Sequence, residues 1–128
     1  MAKTAGDLTP EEIAHYKESY RQTKIQKEKM LQKRYDEAWE VAREAARILY
    51  TSYHAKRVVV FGSLIDRTRF NQWSDIDLAV WGIPVELYFR AYGAIFDFNP
   101  RFKIDMVDPE DCSPSLREVI LKEGIEII

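Results

Sequence analysis

Apolar residues fall into two rhythms along this 128-residue chain. From Tyr35 to Tyr53 they recur every third or fourth position, through Ala38, Trp39, Ala42, Ala45, Ala46 and Leu49, the spacing of a helix laid on a core. Further on the period shortens. Arg57-Val58-Val59-Val60-Phe61 is a β-branched run that predicts a buried strand. Asp75 to Trp81 alternates, with Ile76, Leu78 and Val80 on one face and Asp75, Asp77 and Ala79 on the other. Phe102 to Val107 repeats that pattern: Phe102, Ile104 and Met106 oppose Lys103, Asp105 and Val107. Between these two strands, Leu87, Tyr88, Ala91 and Ile95 return to helical spacing within Val85–Phe96, and Ile125–Ile128 predicts a short last strand.

Capping and turn residues punctuate the rhythm. Thr9, Pro10 and Glu12 have the spacing of a capping box with proline in the first turn. From Glu11 to Val60 there is neither Gly nor Pro, which leaves one very long helix or two helices joined without a marker. Leu64–Trp73 has no sustained period and reads as a loop. Gly82-Ile83-Pro84 breaks the chain and places Pro84 at the first helical position, while Asn99-Pro100 ends that helix. After a turn at 108–111, Ser113 and Pro114 open a last helix that closes at Gly124 with Lys122 in its final turn. Residues 1–8 read as a frayed tail. The expected fold class is α+β, or α/β-like, with a small mixed sheet flanked by helices. The expected division is a tail and long helical extension over 1–54, packed on a compact domain over 55–128.

Composition narrows the class. Apolar residues make up 46% and charged residues 31%, values typical of a globular domain, and the length suits one domain. The net charge of −2 provides no global basic field for nucleic acid. It is unevenly spread, however: Lys17, Arg21, Lys24, Lys27, Lys29, Lys33 and Arg34 face only Glu18 and Glu28 across one stretch. Two readings of that stretch stand side by side: a solvated helix face, or an arm that reaches a partner chain or an RNA backbone. Cys112 is the only cysteine, so no internal disulfide forms, and with only His15 and His54 beside it there is no cysteine–histidine zinc site. Cys112 beside an acidic turn reads as inert, and the two histidines as incidental. No apolar run approaches the roughly 20 residues of a membrane span, and the N-terminus lacks the apolar core of a signal peptide; the expected location is the cytoplasm, with no membrane partner.

The chemistry gathers around Phe61–Leu78. Gly62-Ser63 follows a strand, and Asp75 and Asp77 share one face of the next. Two carboxylates about 4 Å apart repel by about 1 kcal/mol in water and about 4 at an effective dielectric of 20, which a divalent cation between them removes. Asp105 sits on the third strand, and acidic residues are disfavoured inside strands, so three of them call for a chemical reason. Phosphoryl or nucleotidyl transfer supplies one: Asp75, Asp77 and Asp105 as ligands of Mg²⁺, Asp105 also placed to take a hydroxyl proton, and the Gly62-Ser63 turn letting backbone approach a polyphosphate. The chain lacks GxxxxGK[ST], which excludes a P-loop, and Ser63 has no GxSxG elbow.

The pattern GS…SDIDLAVWG…KIDMVD resembles the nucleotidyltransferase superfamily that includes DNA polymerase β, and within it the minimal single-domain branch. The likeness spans Arg57–Ile128. It implies that Gly62 and Ser63 bind nucleotide phosphates, that Asp75, Asp77 and Asp105 are the catalytic and metal residues, and that ATP and Mg²⁺ are used. Such proteins usually continue to Arg-Gly after Gly-Ser; here LIDRT places Arg67 next to Thr68, with eleven residues between Ser63 and Asp75. Arg67 is the expected further phosphate contact. The minimal branch is often paired with a HEPN-family ribonuclease toxin, and the resemblance implies an antitoxin that transfers AMP onto a tyrosine of that partner. The sequence runs about twenty residues past Asp105, too few for the second domain with which larger relatives hold an acceptor, so the acceptor is expected on another chain or in an open cleft. The alternatives are a non-catalytic module that neutralises its partner by binding, or a transferase for a small hydroxylated acceptor or an RNA end.

Overall fold

The structure, a computed structural model, describes residues 5–128. Of the expected tail, residues 1–4 lie outside the described residues, and Ala5–Asp7 form a single 3-10 turn. The helix that follows, α1 (Pro10–Ser52), is one helix of 43 residues, which decides between the two alternatives. Its capping box forms: the Glu12 N–H donates to Thr9 Oγ1 at 3.1 Å, and the Thr9 N–H to Glu12 Oε1 at 3.4 Å.

The chain divides into two compact units, Met1–Lys33 and Arg34–Ile128. In the first, every residue from Ile13 to Met30 is exposed, apolar ones included, and Arg21 pairs with Glu18 at 3.0 Å one turn away. Arg34 corrects the reading of the basic stretch. It is half-buried in the second unit and not part of an exposed basic face, because two backbone carbonyls and an aromatic ring receive its guanidinium.

The second unit is built on a four-stranded sheet of β1 (Arg57–Phe61), β2 (Ile76–Trp81), β3 (Ile104–Val107) and β4 (Ile125–Ile127), in the order β3-β2-β1-β4. β1 runs antiparallel to β2 and β4, and β3 runs parallel to β2. The parallel pair needs a crossover, which α2 (Val85–Phe96) supplies. Pro84 sits in the cap position of α2 and not inside its first turn. The strands start one and two residues later than the alternation predicts, at Ile76 and Ile104, although the Ile76 N–H already donates to the Lys103 carbonyl at 3.0 Å.

One face of the sheet, with Val59, Phe61 and Ala79, is covered by Leu116 and Ile120 of α3 (Pro114–Glu123), whose first turn is capped by Ser113. The other face buries Val58, Val60, Ile76, Leu78, Ile104 and Met106, and α1 buries Ala38, Val41, Ala42, Ala45, Ala46 and Leu49. Val41 belongs to this stripe although the periodic reading passed over it. Tyr50 ties α1 to the sheet: its hydroxyl accepts from the Val58 N–H at 2.9 Å and donates to the Ile127 carbonyl at 2.6 Å.

Candidate active site

Period-two geometry and register together place the carboxylates. In the parallel pair Asp77 of β2 stands directly beside Asp105 of β3, and in the antiparallel pair it stands beside Phe61 of β1. Asp75 precedes β2 by one residue and lies two positions before Asp77, on the same side of the chain. These carboxylates share the face that α3 covers farther along, and all three are only half-buried.

Their electrostatics are coupled. Burial pushes the Asp77 carboxyl up to about 6, the negative charges of Asp105 and Asp75 push the same way, and the Lys103 ammonium opposes them. Lys103 Nζ lies 4.0 Å from Asp105 Oδ2.

Gly62 closes the site from the β1 side. It opens the 3-10 turn Gly62–Ile65 with φ of +76°, a backbone state open to glycine. A Cβ at this position would fall onto Asp77 Oδ2. The backbone of the turn therefore passes against the Asp77 carboxylate as only glycine permits, and Ser63 comes next. The loop that follows is held by local bonds. Asp66 Oδ1 accepts from the N–H and hydroxyl of Thr68 at 3.0 and 2.6 Å, which lowers the Asp66 carboxyl below its usual range. Ser74 Oγ accepts from the Asn71 N–H at 2.9 Å, and Phe70 is buried edge-on to Tyr35 at 5.3 Å. Arg67, the expected phosphate contact, has its guanidinium 5.7 Å from the Tyr35 ring centroid.

Among the described residues, no three acidic, histidine or cysteine side chains are arranged to hold a metal ion as they stand. The donor set nevertheless fits Mg²⁺. It is all oxygen, it is charge-coupled, and Mg²⁺ is held by one or two carboxylates with waters and substrate phosphates, not by a closed protein cage. Asp75 and Asp77, with Asp105 in register beside Asp77, are the residues that would hold it.

Sequence reasoning missed one contributor. Arg34 donates to the Ser74 carbonyl at 3.1 Å and to the Arg101 carbonyl at 3.4 Å, with its guanidinium carbon 4.4 Å from the Phe102 ring centroid. Ser74 precedes Asp75, and Arg101 lies just ahead of Lys103 and β3. One side chain thus fixes the approach to both carboxylate-bearing strands. Its signal in the sequence was hidden by six other basic residues at similar spacing.

A half-open mixed sheet thus carries in-register carboxylates with a glycine turn against one of them. The sequence from residue 43 to residue 128 matches the family of polymerase beta nucleotidyltransferases, and the chain belongs to that family. It is similar to a solved structure, provisionally assigned as a minimal nucleotidyltransferase, with a TM-score of 0.54 and 32% identity over 71% of this chain and 94% of that one. No curated protein matches the sequence significantly.

Proposed function

We propose that this chain is a Mg²⁺-dependent protein adenylyltransferase that moves AMP from ATP to a tyrosine hydroxyl of a HEPN-family ribonuclease and so acts as its antitoxin. The observation that carries the transfer chemistry is the Asp77–Asp105 register pair with Gly62 backed against Asp77. The tyrosine acceptor and the toxin partner rest on the resemblance to the minimal branch.

In this reading the Gly62-Ser63 turn receives the β- and γ-phosphates through backbone and hydroxyl donors. Asp75, Asp77 and Asp105 are the residues that would hold Mg²⁺, which would neutralise charge on the triphosphate. The acceptor oxygen attacks the α-phosphorus, the bond from that phosphorus to the bridging oxygen breaks, and pyrophosphate leaves. The proton of the acceptor hydroxyl passes to Asp105. The exposed basic segment Lys17–Lys33 is a docking arm for the partner chain, or for an RNA backbone. Incubation with labelled ATP, Mg²⁺ and the partner tests the proposal: label appears on the partner, and Asp75→Asn and Asp77→Asn abolish it. Transfer that survives both substitutions overturns the mechanism.

The position of Arg67 against Tyr35 favours one second reading, a module that neutralises its partner by binding alone. Measured affinity for ATP·Mg²⁺ separates the two, since the module has none.

A further inference from the structure

Helix α2 is apolar on two sides. Ala91 and Ile95 are buried, while Val85, Phe89, Tyr92 and Phe96 recur at the spacing of a second helix face. All four are exposed, Val85 and Phe89 at 85% each. Tyr92 and Phe96 already stack on one another, with ring centroids 6.3 Å apart. Glu86, Arg90 and Asp97 fall to one side of this stripe and do not interrupt it. A helix that is apolar all round belongs in an interior, yet one side of α2 is uncovered.

Gly93 lies on the same face, one turn after Phe89. A glycine inside a helix costs about 1 kcal/mol relative to alanine, and a Cβ here would meet nothing within 4 Å. The packing of the chain itself gives no reason for it. The face therefore carries a large aromatic knob at Phe89 and, four residues on, a notch free of any side chain.

We propose that this face docks a second copy of the chain, joined by a twofold axis that sets the two α2 helices antiparallel. A twofold contact uses the same patch on both copies, so a face with its own knob and notch closes two contacts at once. Phe89 of each copy enters the notch at Gly93 of the other. In that register residue 85 of one copy stands opposite residue 97 of the other, since each lies four residues beyond the 89–93 pair. Both helix ends gain there. The first turn of α2 has no side-chain cap, and Asp97 places a carboxylate at the C-terminal end, where negative charge is unfavourable. The antiparallel copy sets each Asp97 against an uncapped helix N-terminus. It also brings Val85 beside Phe96, where an open cleft of about 420 Å³ is lined in part by Phe96, Asp97 and Pro100.

The area agrees with a reversible dimer. With about 200 Å² for an aromatic residue and somewhat less for valine, the four stripe residues expose about 450 Å² per copy, or about 900 Å² for the pair. Pro84, Gly93 and Pro100, all exposed, carry the contact to the ~1,000 Å² at which specific interfaces begin.

Sedimentation velocity on the full chain, from micromolar to millimolar concentration, tests this. The mass is expected to rise from 15.1 kDa towards twice that value. Phe89→Lys and Gly93→Leu are each expected to weaken the dimer at least tenfold. Phe89 is exposed and the space beyond Gly93 is open, so both variants are expected to fold, with circular dichroism matching the parent. The register is read by cross-linking in a Cys112→Ser background. Mixing Phe89→Cys with Gly93→Cys chains is expected to give mainly the mixed disulfide dimer, identified by its intact mass. A chain that stays monomeric at millimolar concentration overturns the second copy and leaves the face to a different protein. A dimer that Phe89→Lys does not weaken uses another surface and overturns the proposal too. Dimers linked mainly between two copies of the Phe89→Cys chain overturn the knob-and-notch register.

Discussion

Asp77 and Asp105 are direct register partners on the parallel strands β2 and β3, two carboxylates side by side with no residue between them. Burial and the neighbouring charges raise the Asp77 carboxyl to about 6, so the folded state holds its proton more tightly than the unfolded chain does. The sign follows: the contribution is fully present below the unfolded value near 4 and is lost as pH rises through about 6. A shift of that size is worth about 3 kcal/mol at most. Since Asp77 is half-exposed, solvent screening cuts it to about 1–2 kcal/mol. Urea unfolding at pH 7.5 is therefore expected to show Asp77→Asn more stable than the parent by that amount, with the gap closing by pH 4. A gap that is absent at pH 7.5 contradicts the coupling.

Two glycines make opposite predictions. At Gly62, φ is +76° and a Cβ collides with the Asp77 carboxylate, so Gly62→Ala is expected to destabilise the fold by about 1–3 kcal/mol and to displace Asp77. Gly93 lies within α2, and a Cβ there meets nothing within 4 Å. Gly93→Ala is expected to stabilise by up to about 1 kcal/mol. Paired denaturation curves check both, and equal effects at the two positions rule the account out.

Local chemistry explains why so much of the fold was legible in the sequence. Period-two alternation identified which residues share a strand face, and the Thr9–Glu12 and Ser113–Pro114 signals identified two helix starts. Neither kind of signal reports which strands are neighbours. That Asp105 stands beside Asp77, and that β4 returns to the far side of β1, are long-range facts set by packing. The loop after Ser63 was readable only as aperiodic, because its order comes from isolated side-chain bonds at Asp66, Asn71 and Ser74. Arg67 lies in that same loop, with its guanidinium 5.7 Å from the Tyr35 ring centroid, a neighbour that local spacing does not report.

The exposed arm has its own test. Lys17, Lys24 and Lys27 all lie within the fully exposed stretch of α1. In the transfer proposed above, replacing all three by Gln is expected to raise the KM for the proposed protein partner several-fold, more so at low salt, and to leave the KM for ATP unchanged. An unchanged partner KM would return this segment to a plain solvated helix face.

Arg34 separates from the arm in both structure and expected effect. Its guanidinium holds the carbonyls of Ser74 and Arg101 and lies over Phe102, so it anchors the segments leading into β2 and β3 together. Charge-assisted bonds to carbonyls contribute about 1.5–3 kcal/mol, and the ring contact about 0.5–2 kcal/mol. Arg34→Met is expected to destabilise by about 2–3 kcal/mol, whereas Lys24→Met changes stability by no more than about 0.5 kcal/mol. Because Arg34 acts by positioning Asp75 and Asp105, the same substitution should lower kcat more than it raises the KM for ATP. Arg34→Lys should recover less than half of the stability, since a single ammonium cannot span two carbonyls and stack on a ring as a planar guanidinium does. Full recovery by lysine would mean that charge alone, and not the two-carbonyl clamp, sets the spacing of the carboxylate strands.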